Sequence, residues 1–296
     1  MADNSTQTRD NEPHAAAGCS RGRQRAVIKR HGLMTRVWHW VNLVCLVVLL
    51  MSGLQIFNAH PALYWGDDSS FDDPALQLTA MRDADGNPMG VTRIGSFSFN
   101  TTGVLGLSRR DGDMTQRGFP AWATLPGPQW LAMGRYWHFA AAWVFAPFLF
   151  VYLLYSLIST QRRRLIWPTA AQWRCLPKTI ADHARLRFHH EADYNGLQKL
   201  TYVIVLFGLL PLMVFTGLTM SPTMNAAWPW LLDVFGGRQS ARTIHFICAF
   251  GLVAFFLIHI VLVLISGVFN NLRSMITGGY KVDTDDTPPS EAKRHA

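Results

Sequence analysis

Residues 242–260 read RTIHFICAFGLVAFFLIHI, the core of an uncharged run over 243–269 that holds two histidines, His245 and His259. A helix rises 1.5 Å per residue with 3.6 residues per turn, so their separation of 14 residues is about 21 Å and just under four turns. Both face nearly the same way, about 40° apart. A single metal cannot span that gap. Two planar cofactors stacked across a bilayer, one per histidine, fit it.

Three further apolar runs lie at 37–57, 136–158 and 200–220. Each passes the roughly 18 residues that a helix needs to cross a hydrocarbon core of about 30 Å. In lipid such a helix satisfies its own backbone, which makes it one of few structures that can span. The runs are apolar on all sides, unlike a soluble amphipathic helix. An all-α integral membrane protein with four spanning helices is the expected fold.

Charge placement sets the expected topology. Seven Lys/Arg precede the first run, eight lie in 159–199 and four follow 269, against six in 58–135 and two in 221–242. The 19 on the side of the termini against 8 on the other put both termini in the cytoplasm. The net charge of +8 is then a topology signal and calls for no nucleic-acid partner. Residues 1–30 and 277–296 read as disordered cytoplasmic tails around a membrane domain at 31–276. An outer loop at 58–134 is expected to fold as a periplasmic cap, with acidic pairs Asp67-Asp68 and Asp72-Asp73 and aromatics Trp65, Phe71, Phe97, Phe99, Phe119, Trp122 and Trp130. No CxxCH is present to attach a c-type haem, and the four scattered cysteines suggest neither a disulfide framework nor an iron–sulfur cluster.

Ionisable residues inside spanning helices are functional candidates. Four of the eleven histidines qualify, His39, His138, His245 and His259. Helix direction pairs His39 with His259 in the inner half and His138 with His245 in the outer half. Two b-type haems, each held by two imidazoles with no open coordination position, are the expected cofactors. The run boundaries leave a depth mismatch, since His39 is three residues beyond Arg36 while His259 is eleven before Asn270. The inner pair therefore requires Arg36 below the membrane surface, or helix tilt. Arg36, Arg135 and Arg242 each stand one turn before a histidine, where a guanidinium can hold a haem propionate. Gly53, 14 residues after His39, is expected to let the outer haem approach the backbone.

HGLMTRVWHW at 31–40, RYWH at 135–138, YNGLQKLTY at 194–202 and the spaced pair His245 and His259 together resemble the bacterial cytochrome b561 superfamily. That family includes the b subunits of nickel–iron hydrogenases, formate dehydrogenases and thiosulfate reductases, and the resemblance covers 31 to about 275. It implies four helices around two haems in the inner membrane, a quinone near the cytoplasmic haem, and a periplasmic redox enzyme beside the outer one. The stretch at 194–202 resembles the quinone-lining part of the formate dehydrogenase b subunit. By that resemblance Asn195 and Gly196 border the quinone, with Gln198 and Lys199 nearby. The long outer loop departs from the hydrogenase subunits and is more like members that accompany thiosulfate reductase-like or sulfite oxidase-like molybdenum enzymes. The implied function is an electron-transfer subunit with no catalytic residue of its own. The alternatives are a stand-alone quinone-linked b561 protein, a hydrogenase b subunit and a haem-free transporter or assembly factor whose histidines bind metal or relay protons. The cap is expected to dock the partner, so excision of 67–85 should slow electron exchange while both haems stay bound.

Overall fold

The computed structural model describes residues 25–160, 166–184 and 196–283. Four helices are long and apolar enough to cross a membrane: α1 (Leu33–Phe57), α2 (Leu131–Ile158), α4 (Gly196–Met220) and α7 (Arg238–Ile265). Their outer faces keep large apolar side chains such as Val44, Phe150 and Ile258 exposed, as a lipid-facing surface requires. Trp38 and Cys45 of α1, Phe145, Leu149 and Tyr152 of α2, Leu206 and Leu210 of α4 and Leu252 of α7 meet in one core with Ile166. Trp38 stacks on Tyr152 with ring centroids 4.8 Å apart.

Between α2 and α4 lies α3 (Ala170–Ala184). Thr169 and Gln172 close its start reciprocally, each backbone N–H donating to the other's side-chain oxygen. That is a capping box, written in the sequence as Thr-x-x-Gln. Inside α4, residues Ile204–Leu209 widen into a π-helical turn, and Leu210 donates its N–H to Val205 five residues back. Pro211, which has no N–H and crowds the carbonyl four residues before it, follows directly, and the wider turn relieves that clash. Two short helices, α5 (Pro222–Ala227) and α6 (Trp230–Phe235), connect α4 to α7.

The insertion between α1 and α2 departs from an all-α fold. It holds β2 (Ala62–Leu63), β3 (Leu76–Arg82), β4 (Pro88–Ile94), β5 (Phe97–Asn100), β6 (Gly106–Arg110) and β7 (Asp113–Arg117). Strands β2 to β5 form one antiparallel sheet in sequence order, and β6 pairs with β7. Tight turns set the registers. Asp111 and Gly112, with φ of 51° and 97°, link Arg110 to its partner Asp113. Both angles lie where a two-residue Asp-Gly hairpin turn needs them. Gly95, with φ 55°, turns β4 into β5. Gly106 combines φ 77° with backbone so close that a Cβ would collide with the Thr79 carbonyl.

The insertion is tied to the helices by buried groups. Phe57, Leu63, Leu78 and Phe119 form a second core, joined by Leu54 and Phe246. Asn58 exchanges two hydrogen bonds with the Phe119 backbone. Arg117, only 2% exposed, donates to the carbonyls of Phe119 and Gly127 and to the Thr124 hydroxyl.

Two further features differ from the reading of the runs and tails. α7 stops at Ile265 rather than 269, because Gly267 takes a φ of 96° and a separate helix α8 (Val268–Thr277) follows. Within the described part of the segments read as tails, β1 (Arg25–Lys29) pairs antiparallel with β8 (Gly279–Asp283). The β-branched Val27 and Ile28 favour that strand. Among the described residues, 25–32 and 267–283 belong to a compact unit distinct from Leu33–Ser266. Within it the Arg30 guanidinium lies 4.5 Å over the Tyr280 ring, and Asn270 exchanges two hydrogen bonds with the Lys281 backbone.

Candidate functional site

Four histidines from three helices meet in two pairs. The rings of His39 and His259 have centroids 6.5 Å apart, and those of His138 and His245 are 6.3 Å apart. His39 lies six residues into α1 and His259 six residues before the end of α7. His138 and His245 each lie seven residues into their helices. The expected depth mismatch arose from the run boundaries. α1 begins at Leu33 and α7 ends at Ile265, so the two members of each pair stand level.

A metal–imidazole bond of about 2 Å on each side, with the two ring radii added, spans about 6 Å, close to both separations. Among the described residues no three His, Cys, Asp or Glu side chains gather to hold a metal. The two imidazoles of a pair would supply two ligands to a metal, and a group bound between the rings would supply the others. The residues fit a planar macrocycle in that role.

The pair of His138 and His245 is held from behind. His138 Nδ1 lies 3.1 Å from Ser52 Oγ and 3.1 Å from the Leu49 carbonyl, both on α1. A carbonyl only accepts, so Nδ1 carries the proton and Nε2 keeps a lone pair for a ligand. His245 Nδ1 lies 2.9 Å from Thr216 Oγ1 on α4. Small residues stand beside both rings. An added Cβ at Gly53 would lie 3.4 Å from His138 Cε1, and one at Gly217 would lie 3.5 Å from His245 Cε1. The pair of His39 and His259 differs. Thr35 Oγ1, His39 Nδ1 and Asn42 Oδ1 are buried on one face of α1 with no hydrogen-bond partner among the described residues, while Phe255 stacks on His259 at 5.9 Å.

The three arginines occupy different settings. Arg36 has its Nε buried. The Arg135 guanidinium lies 5.8 Å over the Phe139 ring. Arg242 donates from Nη2 to the His60 carbonyl at 2.5 Å and lies 5.4 Å over the Phe57 ring. Beside it Thr243 donates to the Tyr64 carbonyl. His60 shares a 3.1 Å hydrogen bond with Tyr64 and stacks on its ring. Burial, and then the Arg242 charge, push the His60 imidazole below its ordinary pKa.

The insertion also caps α7. The Gly66 carbonyl accepts the N–H groups of Gln239 and Ser240, and Asp67 Oδ1 accepts that of Arg238 at 3.3 Å. Asp67 thus sits at the positive end of a helix dipole, where a carboxylate is stabilised. Of the quinone candidates, Asn195 lies outside the described residues. Gly196 and Lys199 are buried at the start of α4, with Gly196 packed on Gln172 of α3, and Gln198 is exposed. Sequence reasoning missed Ser52, Thr216, Gly66 and Tyr64. The signal available was a hydroxyl–glycine dipeptide repeated in two spanning helices, Ser52-Gly53 and Thr216-Gly217.

The family model of prokaryotic cytochrome b561 matches residues 30–278. A protein of Azospira oryzae, provisionally named protein-methionine-sulfoxide reductase subunit YedZ1, is 26% identical over 250 residues, 84% of this chain and 96% of that protein. No solved structure matches the chain significantly. With the model covering most of its length and four spanning helices to hold a haem in the inner membrane, the chain belongs to the prokaryotic cytochrome b561 family, the membrane b-type cytochromes of electron transport.

Proposed function

We propose that this chain is a di-haem electron conduit between the quinone pool and a periplasmic oxidoreductase. The observation that carries the reading is the pair of histidine couples, 6.5 Å and 6.3 Å apart, one in each half of the bundle. Haem iron, when bound, supplies reversible one-electron exchange. The protein's part is to hold, orient and insulate. His39 with His259 would ligate the inner haem and His138 with His245 the outer one. Arg36 and Arg135 would hold propionates, while Arg242 already ties α7 to the insertion. Gly53 and Gly217 keep the space beside the outer ligands free of side chains.

Gly196 and Lys199 open α4 in the half that holds His39 and His259, and support a quinone site there together with Gln198 and Asn195. The positive-inside rule supports cytoplasmic termini and a periplasmic insertion. The YedZ1 relative is named as a reductase subunit. That supports a reductase partner fed from quinol, in line with the thiosulfate reductase-like and sulfite oxidase-like partners that the long insertion suggests.

A pyridine haemochrome assay on the purified chain should return two haems per polypeptide. In redox titrations of membranes, His138→Ala and His245→Ala should remove one and the same component. His39→Ala and His259→Ala should remove the other. One haem per chain, or losses that cross between the pairs, would overturn the assignment.

A further inference from the structure

The two outer histidines are held by the same device, which appears twice in the bundle. α1 presents Ser52-Gly53 to His138 of α2, and α4 presents Thr216-Gly217 to His245 of α7. Ser52 and Thr216 are both fully buried. Each is already bonded to the carbonyl four residues before it, Ser52 to Val48 at 2.6 Å and Thr216 to Leu212 at 2.7 Å. A hydroxyl has one proton to give. With that proton committed to its own helix, each oxygen faces the imidazole as an acceptor and fixes the protonated nitrogen as Nδ1. The glycine that follows leaves the ring's Cε1 edge uncrowded.

Resting on the di-haem reading, we propose that Ser52-Gly53 and Thr216-Gly217 are positioning dipeptides that set the tautomer and basicity of both outer ligands and so lower the midpoint potential of the outer haem. An acceptor behind a ligand histidine orients the ring and makes it a stronger donor to the metal. A stronger donor favours the ferric state. His39 Nδ1 has no such acceptor among the described residues, so the device acts on one haem and leaves the other untouched. Each imidazole also has a carbonyl of the same turn behind it, Leu49 for His138 and Met213 for His245, three residues before the hydroxyl in both cases.

The test is a redox titration of membranes holding the full chain, with haem count and low-spin ferric EPR on the same samples. Thr216→Val keeps the shape and deletes the oxygen. It should raise the component that His245→Ala removes, by roughly tenfold in ferrous preference, which is about 59 mV for one electron. Ser52→Ala should move the same component in the same direction, and Thr216→Ser should restore the wild-type value. Should Thr216→Val shed that haem, Ser52→Ala is read in its place. Unchanged potentials with full haem occupancy, or a shift of the component that survives His245→Ala, would overturn the inference. A wild-type chain with a single haem would instead overturn the di-haem reading, and the response of that haem to Thr216→Val would still decide this one.

Discussion

His60 stands where the insertion meets α7, with its backbone carbonyl on Arg242 and its ring on Tyr64. Its pKa lies below the ordinary 6.5 because burial and the nearby guanidinium oppose a second positive charge. The unfolded segment binds the proton more readily than the folded one, so stability rises with pH across that window. The junction should be at full strength above pH 6.5 and loosen as the pH falls toward the lowered value. Proteolysis of the insertion in membranes, followed against pH, should accelerate below about pH 6.5. His60→Gln should flatten that profile, and an unchanged profile would remove His60 from the account. None of this was legible beforehand. His60 is one of seven histidines in tails or loops of the sequence, and only its contact with a helix some 180 residues away gives it a role.

At the scale of elements, the spanning helices were readable because lipid demands one continuous apolar run for each crossing. Their ends were less so. Leu33 and Ile265 as boundaries, against 37 and 269 from hydropathy, depend on backbone geometry such as that of Gly267. The strands of the insertion were missed because they are short and bury residues without strict alternation, as β4 does with Gly90, Val91 and Thr92 in succession. Their turn dipeptides Asp111-Gly112 and Asp85-Gly86 were present to be read. Asp67 shows how a surface acid can be structural. It accepts the first amide of the helix that carries both His245 and His259. Asp67→Ala should weaken the first turn of α7 by about 1 kcal/mol, the usual worth of such a cap. Hydrogen exchange at Arg238 to Ser240 should then quicken severalfold, and protection equal to wild type would refute the capping role.

At the scale of the molecule, the insertion packs into the end of the bundle that holds His138 and His245, through Phe57, Phe119 and Phe246. Excision of 67–85 therefore no longer isolates docking from folding. It would remove the Asp67 cap and all of β3, which pairs with both β2 and β4. The exposed edge strand β5 offers a cleaner probe. Phe97 and Phe99 are 68% and 52% exposed on it, whereas Phe119, grouped with them as a docking aromatic, is buried. Aromatic anchors at an interface centre are worth about 2 kcal/mol or more each, roughly a 30-fold change in affinity. Phe97→Ser with Phe99→Ser should leave the haem content unchanged and slow electron exchange with the native partner at least tenfold. Exchange at the wild-type rate would exclude β5 as the docking edge.

The sequence by itself determined the four crossings, the four candidate histidines and the family resemblance, because hydropathy and helical spacing are local and periodic. Tertiary structure alone decided what stands behind those histidines. Ser52 reaches His138 across 86 residues and Thr216 reaches His245 across 29. Gly66 and Asp67 cap a helix more than 170 residues further on. Hydrogen bonds of a single buried hydroxyl or carbonyl carry no period along the chain. They exist only once the helices have packed, and the depth at which each histidine meets its partner is settled by the same packing.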